Sequence, residues 1–209
     1  MPTEAATQAQ AILRDASAYQ WYVIPLFALV VYVYAVEIER RNWNLLFAGL
    51  AFWGMDWINE IWNSLVLHFT GYAPMWAAPG KTAFLILVGL NIEIMFMFSI
   101  AGIVFCKTLP DKAIKIFGMP NRIPLAIGWS AFCVIVEIWL NSVDALTWDW
   151  RYWSAGSPIP IFLFGYLHFF VVAFLVHDMN TIKAKITTVG VIFTIAILSL
   201  VTFGSLGWI

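Results

Sequence analysis

The chain reads as an all-α, polytopic bundle of six transmembrane helices with both termini on the extracytoplasmic or lumenal side. Composition, the spacing of apolar runs and the placement of Lys and Arg predict it. Hydrophobic residues make up 62% of the 209 positions and charged residues only 11%, against about 25% charged in soluble domains. Apolar segments cover about 20–36, 43–67, 83–106, 122–144, 159–177 and 185–207, each near the ~20 residues a helix needs to cross hydrocarbon. Turn and charge signals separate them: Glu39-Arg40-Arg41-Asn42, Ala78-Pro79-Gly80, Leu109-Pro110-Asp111-Lys112, Gly156-Ser157-Pro158 and His177-Asp178-Met179-Asn180.

The basic residues set the orientation. Arg40, Arg41, Lys107, Lys112, Lys115, Arg122, Lys183 and Lys185 fall on one side of the six-span arrangement, and Arg14, Lys81 and Arg151 on the other. Cytoplasmic connections carry the excess. Residues 1–209 form a single transmembrane domain, in which 1–18 is a polar N-terminal surface segment without a secretory signal. Within it, 3–16 suits a short surface helix capped by Thr3. The location is integral to a membrane, multi-pass, as in a bacterial inner membrane or the endoplasmic reticulum. A net charge of −1 offers nothing to nucleic acid, and Cys106 and Cys133 read as buried thiols. Glu37 and Glu39 beside Arg40 and Arg41 read as a solvated helix end.

Against this apolar background stand Asp56, Glu60, Glu93 and Glu137, with no Lys or Arg in the interior of the spans. An ionisable group at a helix centre costs ~2.5–3.5 kcal/mol, so four cost roughly 10 kcal/mol, which marks them as functional candidates. The second and fourth spans share a pattern: Glu60-Ile61-Trp62-Asn63-Ser64 against Glu137-Ile138-Trp139-Leu140-Asn141-Ser142. Asp56, Glu60 and Asn63 lie at i, i+4 and i+7, as do Glu137, Asn141 and Asp144, so each set shares a helix face. Facing stripes would converge on one cavity opening outward. Asn91 or Glu93 from the third span and Tyr166 or His168 from the fifth would complete its lining. Trp148, Trp150 and Trp153 around Asp149 and Arg151 suit a lid over it.

A buried carboxyl group in an apolar pocket holds its proton tightly, so one member of a pair serves as acid while the other serves as base. Aromatic faces stabilise a developing carbocation, and a dry cavity protects it from water. This chemistry suits acid-initiated isomerisation or cyclisation of a hydrophobic isoprenoid- or sterol-like lipid. Asp56 or Glu60 would be the acid and Glu137 or Asp144 the stabiliser or terminal base. Trp57, Trp62 and Trp139 would form the walls. No cofactor is needed.

The stretches Trp57-Ile58-Asn59-Glu60-Ile61 and Gly89-Leu90-Asn91-Ile92 resemble the integral-membrane terpene cyclases of meroterpenoid and indole-diterpene pathways. That resemblance implies protonation of an epoxide or olefin by a carboxylic acid, without a metal. One alternative is a metal-dependent membrane oxidoreductase, or a subunit of one, holding a divalent ion through Glu60, Glu137 and His168. A cation or amine transporter is another. A scaffold packing lipids or pigments within an oligomer or larger complex is a third. Apolar inner halves, Trp43 to Trp53 and Ile123 to Ile135, favour a dead-end pocket over a transport path.

Overall fold

The computed structural model describes residues 1–209 as an all-α protein. It contains α1 (Glu4–Ala11), α2 (Val23–Glu39), α3 (Trp43–Thr70), α4 (Ile92–Cys106), α5 (Arg122–Ser142), α6 (Pro158–Asp178) and α7 (Ile182–Ser205). By length and composition α5, α6 and α7 are able to cross a membrane. Large apolar side chains such as Phe132, Ile135, Leu175, Leu198 and Val201 point outward from the bundle, as lipid-facing surfaces do.

The segment expected as one helix over 83–106 splits in two. Residues 85–91 form a short antiparallel hairpin, β1 (Leu85–Leu87) with β2 (Leu90–Asn91). Only then does α4 begin, with the Asn91 side chain accepting from the Ile94 amide at 2.8 Å. Asn91 is therefore a helix cap. With 15 residues α4 is ~22 Å long.

α3 is the axis of the bundle, packed against α4, α6 and α7. Glycines let α3 and α4 approach closely: a Cβ on Gly49 would lie 2.4 Å from Ile103 Cγ1, and one on Gly102 2.6 Å from Phe52 Cβ. Below mid-height, Phe52 meets Phe98, Phe169 and Phe170 at centroid distances of 6.0, 5.5 and 5.1 Å.

At one end the basic connections are tied together. Arg122 grips Asp178 with two bonds of 2.9 and 3.0 Å. Lys112 donates to the Asp178 carbonyl at 3.0 Å, and His177 Nδ1 stands 2.8 Å from its carboxylate. Glu37 pairs with Lys107 at 2.5 Å and is only 1% exposed. The solvated helix end expected for Glu37 is thus a buried carboxylate paired with the exposed Lys107, which ties α2 to the end of α4.

The opposite end carries a cap. α1 is held by its Thr3 cap at 3.2 Å and buries Ala6 and Ala9 completely. Arg14 donates its amide to the Leu85 carbonyl, 2.8 Å, so the N-terminal segment is docked on the hairpin. The loop after α3 and the loop after α5 are joined by paired bonds between Ala77 and Thr147 of 3.0 and 2.9 Å. Trp150 Nε1 donates to the Ala73 and Pro74 carbonyls. Thr3 reaches across to Asp149 at 2.7 Å.

Candidate functional site

Beneath this cap lies a narrow cavity of about 50 Å3. α3 supplies Asp56, Asn59 and Glu60, and α5 supplies Glu137 and Leu140. The two acids of α3 face it together because they are one helical turn apart. Asp56, Glu60 and Glu137 are each 5% exposed or less. The expected convergence of the two acidic stripes, on α3 and α5, is thus observed at three carboxyl groups.

Tryptophans from the cap bear on two of them. Trp76 Nε1 donates to Glu60 Oε1 at 2.9 Å, and Trp148 Nε1 donates to Glu137 Oε1 at 3.0 Å. Trp153 stacks on Trp76 with centroids 5.5 Å apart and planes at 25°. Asn63 aims Trp76: its Oδ1 accepts from the Met75 amide at 2.7 Å, and its Nδ2 donates to the Trp76 carbonyl at 2.8 Å. Gly89, in the hairpin turn, leaves room for that indole; a Cβ there would stand 2.5 Å from Trp76 Nε1. Asn63 is therefore a clamp for the roof.

Tyr166 reaches the cavity from α6, whose turns widen to a π-helix over Ile161–Leu167. π-turns recur at functional sites because the extra residue re-aims side chains. Phe98 and Phe169 line the cavity and join Phe52 in the aromatic cluster beneath it. Three buried polar atoms of lining residues have no partner: Asp56 Oδ2, Glu60 Oε2 and Trp153 Nε1. Buried polar groups are nearly always bonded, so three orphans at one cavity are unusual.

The cavity does not open outward as expected. Trp76, Gly89, Leu146 and Trp153 cover it on the cap side. Of its lining residues Met97 on α4 is the exposed one, at 48%. Leu140, partly buried on α5, also lines it, and elsewhere along the bundle α4 meets α5 through Phe105 and Trp129, ring centroids 5.0 Å apart.

Several expected lining residues lie elsewhere. Asp144 follows the end of α5 in a left-handed conformation (φ 56°) and is exposed. Trp62 and Trp139 face outward, 41% and 62% exposed. Each is two positions from its glutamate, about 200° around the helix. Trp57 lines an apolar groove on the other side of α3, beside Trp53 and Phe193. Asn141 donates to the Leu146 carbonyl at 2.9 Å. Glu93 accepts from Tyr22, from Thr82 at 2.5 Å and from the Ala83 amide at 2.9 Å, tying α2 and α4 to the loop around residue 82.

His168 packs its ring on Phe169, centroids 4.4 Å apart, with Nδ1 3.4 Å from the Leu163 carbonyl. It does not line the cavity, so the Glu60–Glu137–His168 set is not assembled. No three His, Cys, Asp or Glu side chains group in a way that could hold a metal ion. Sequence reasoning did not assign Asn59, Trp76, Phe98 and Phe169 to the cavity, and Trp153, expected in a lid, is among its lining residues. The Trp-rich loops were the available signal for Trp76 and Trp153.

A protein of Archaeoglobus fulgidus described as uncharacterized is 56% identical over 211 residues, covering all of both chains. A second uncharacterized protein of that organism is 42% identical over 53 residues, 25% of this chain and 95% of its own length. No solved structure matches. A family model matches residues 3–205, nearly the whole chain, and the protein accordingly belongs to a family described as an uncharacterized membrane protein family.

Proposed function

We propose that this membrane protein is an enzyme that uses buried carboxyl groups for proton-initiated isomerisation or cyclisation of an isoprenoid- or sterol-like lipid. The observation that carries the reading is the set of three carboxyl side chains around one aromatic-lined cavity, two of them with an unpartnered oxygen. In the proposed arrangement α2 to α7 are six spans, the tied basic end is cytoplasmic, and the capped end with both termini is extracytoplasmic or lumenal. The clustering of Lys107, Lys112, Arg122 and Lys185 at one end supports that orientation.

Asp56 or Glu60 gives a proton to the substrate, and positive charge develops on a substrate carbon. The aromatic rings of Phe98, Tyr166 and Phe169 line the cavity and stabilise that charge. Glu137, oriented by the Trp148 N–H, removes a proton from a neighbouring carbon. One proton enters and one leaves, so the product is an isomer and no oxidant, reductant or water is consumed. Asp144 takes no part, being exposed outside the cavity. A transport path is disfavoured by the phenylalanine cluster directly below.

The test is turnover in D2O. Protein in lipid nanodiscs is incubated with linear isoprenoid olefins, epoxides and alcohols, and deuterium in recovered lipid is measured by mass spectrometry. Wild type incorporates deuterium into an isomeric product, and Glu60→Gln or Glu137→Gln lowers the rate by ~100-fold or more, as loss of a general acid or base does. Absence of incorporation across the panel overturns the reading. Stoichiometric metal in purified wild type, lost in the double variant, replaces it with metal-dependent chemistry.

A further inference from the structure

Resting on that reading, we infer that the substrate is a single-chain lipid alcohol whose hydroxyl end alone enters the cavity, its chain leaving past Met97 of α4. Size is the first constraint. About 50 Å3, where one water needs about 10–15 Å3 on the same measure, accommodates a few waters or a terminal group of a few heavy atoms. A sterol nucleus does not fit within it.

Hydrogen-bonding chemistry is the second constraint. Trp153 Nε1 is a donor with no acceptor, while Asp56 Oδ2 and Glu60 Oε2 are carboxyl oxygens with no partner. Trp153, Asp56 and Glu60 are 1%, 2% and 4% exposed, so bulk water does not serve these atoms. An indole N–H only donates. A hydrocarbon end satisfies none of the three atoms, and an ether or ketone oxygen, which only accepts, serves the indole or the protonated acid but leaves the ionised carboxylate unpaired. A hydroxyl accepts from the indole and donates to a carboxylate, which answers both kinds of unpartnered atom at once.

The exit is the third constraint. Trp76, Gly89 and Leu146 close the cap side, and the phenylalanine cluster closes the opposite side. Met97, the exposed lining residue, stands on the remaining side. It is unbranched and flexible and adapts to irregular apolar neighbours. A chain passing it lies in the membrane interior, its native solvent.

Binding tests this independently of turnover. Protein in nanodiscs is titrated with a linear isoprenoid primary alcohol, the matching methyl ether and the matching hydrocarbon, and bound ligand is counted after separation. The alcohol binds most tightly. Trp153→Phe, which keeps an aromatic ring on Trp76 and removes the N–H, weakens it about fivefold to tenfold, the worth of one hydrogen bond. The hydrocarbon is unaffected by that change. Met97→Trp, which fills the gap from the outside, slows association of the alcohol. Equal binding of alcohol and hydrocarbon, or an alcohol affinity indifferent to Trp153→Phe, overturns the inference. Should Trp153→Phe not fold, an association rate unchanged in Met97→Trp overturns it as well. Alcohol that binds selectively but gains no deuterium supports this inference and removes the acid-catalysis reading instead.

Discussion

Replacing Gly89 by alanine tests whether the roof of the cavity holds the acids in place. The new Cβ would sit 2.5 Å from both Trp76 Nε1 and Asn63 Nδ2. Ordinary contact begins at 3.4 Å, so the indole and the amide must each withdraw by 0.9 Å. The hairpin backbone has little room to yield, because Leu87, Val88 and Leu90 on either side are 4% exposed or less. Withdrawal of the indole breaks its 2.9 Å bond to Glu60. Overpacking costs typically 1–3 kcal/mol, and a hydrogen bond to a charged group contributes ≈ 1.5–3 kcal/mol, so about 3 kcal/mol is expected. For a chain of this size that lowers the Tm by ~6–12 °C. Thermal unfolding followed by size-exclusion chromatography in detergent measures it. Gly128→Ala is the control, since a Cβ there meets nothing within 4 Å and alanine favours the helix by ~1 kcal/mol. Gly89→Ala unfolding at the same temperature as Gly128→Ala would refute the argument.

Other positions give distinct outcomes. Asp178→Asn removes the charge that Arg122 grips at 2.9 and 3.0 Å, and about 2 kcal/mol of stability is expected to go with it; an unchanged Tm contradicts this. Asp144→Asn and Trp139→Leu alter exposed side chains outside the cavity, so stability stays within ~0.5 kcal/mol and turnover is unchanged. A turnover loss in either variant would return that side chain to the site. Glu93→Gln disturbs the acceptor shared by Tyr22, Thr82 and Ala83. Amide hydrogen exchange is expected to quicken around residues 82–84 and stay unchanged around Glu60; uniform protection would show that Glu93 is dispensable there.

The bundle was legible wherever a long apolar run is bounded by turns or charge. Helices α2, α3, α5, α6 and α7 lie within a few residues of the segments read from sequence. The run from Phe84 to Leu90 was misread because hydrophobicity without alternation does not distinguish a buried strand from a buried helix. Helical spacing correctly joined Asp56 to Glu60. The same spacing, applied strictly, would have turned Trp62 away from Glu60 and Trp139 away from Glu137. The tryptophans that reach the acids, Trp76 and Trp148, sit in loops. Their direction is set by tertiary bonds such as those of Asn63, which periodicity does not encode. The widened turns of α6 that bring Tyr166 to the cavity are likewise a tertiary feature.

Structural adhesion is the competing explanation for acids buried at this depth, and stability separates it from a functional role. Glue consists of satisfied bonds, yet Asp56 and Glu60 each leave an oxygen unpartnered. The cap, meanwhile, spends Trp76 on Glu60 and Trp148 on Glu137. Glu60→Gln keeps an oxygen for Trp76 and removes an ionisable group whose burial beside Asp56 is costly. If the acids serve only cohesion, the variant loses a designed contact and unfolds earlier. If they are held for chemistry, the variant is as stable as wild type or more so, while turnover falls ~100-fold or more. Unfolding temperature and deuterium incorporation measured on the same preparation decide between them. A less stable variant that keeps its activity would assign Glu60 to cohesion and require the proton donor to be Asp56.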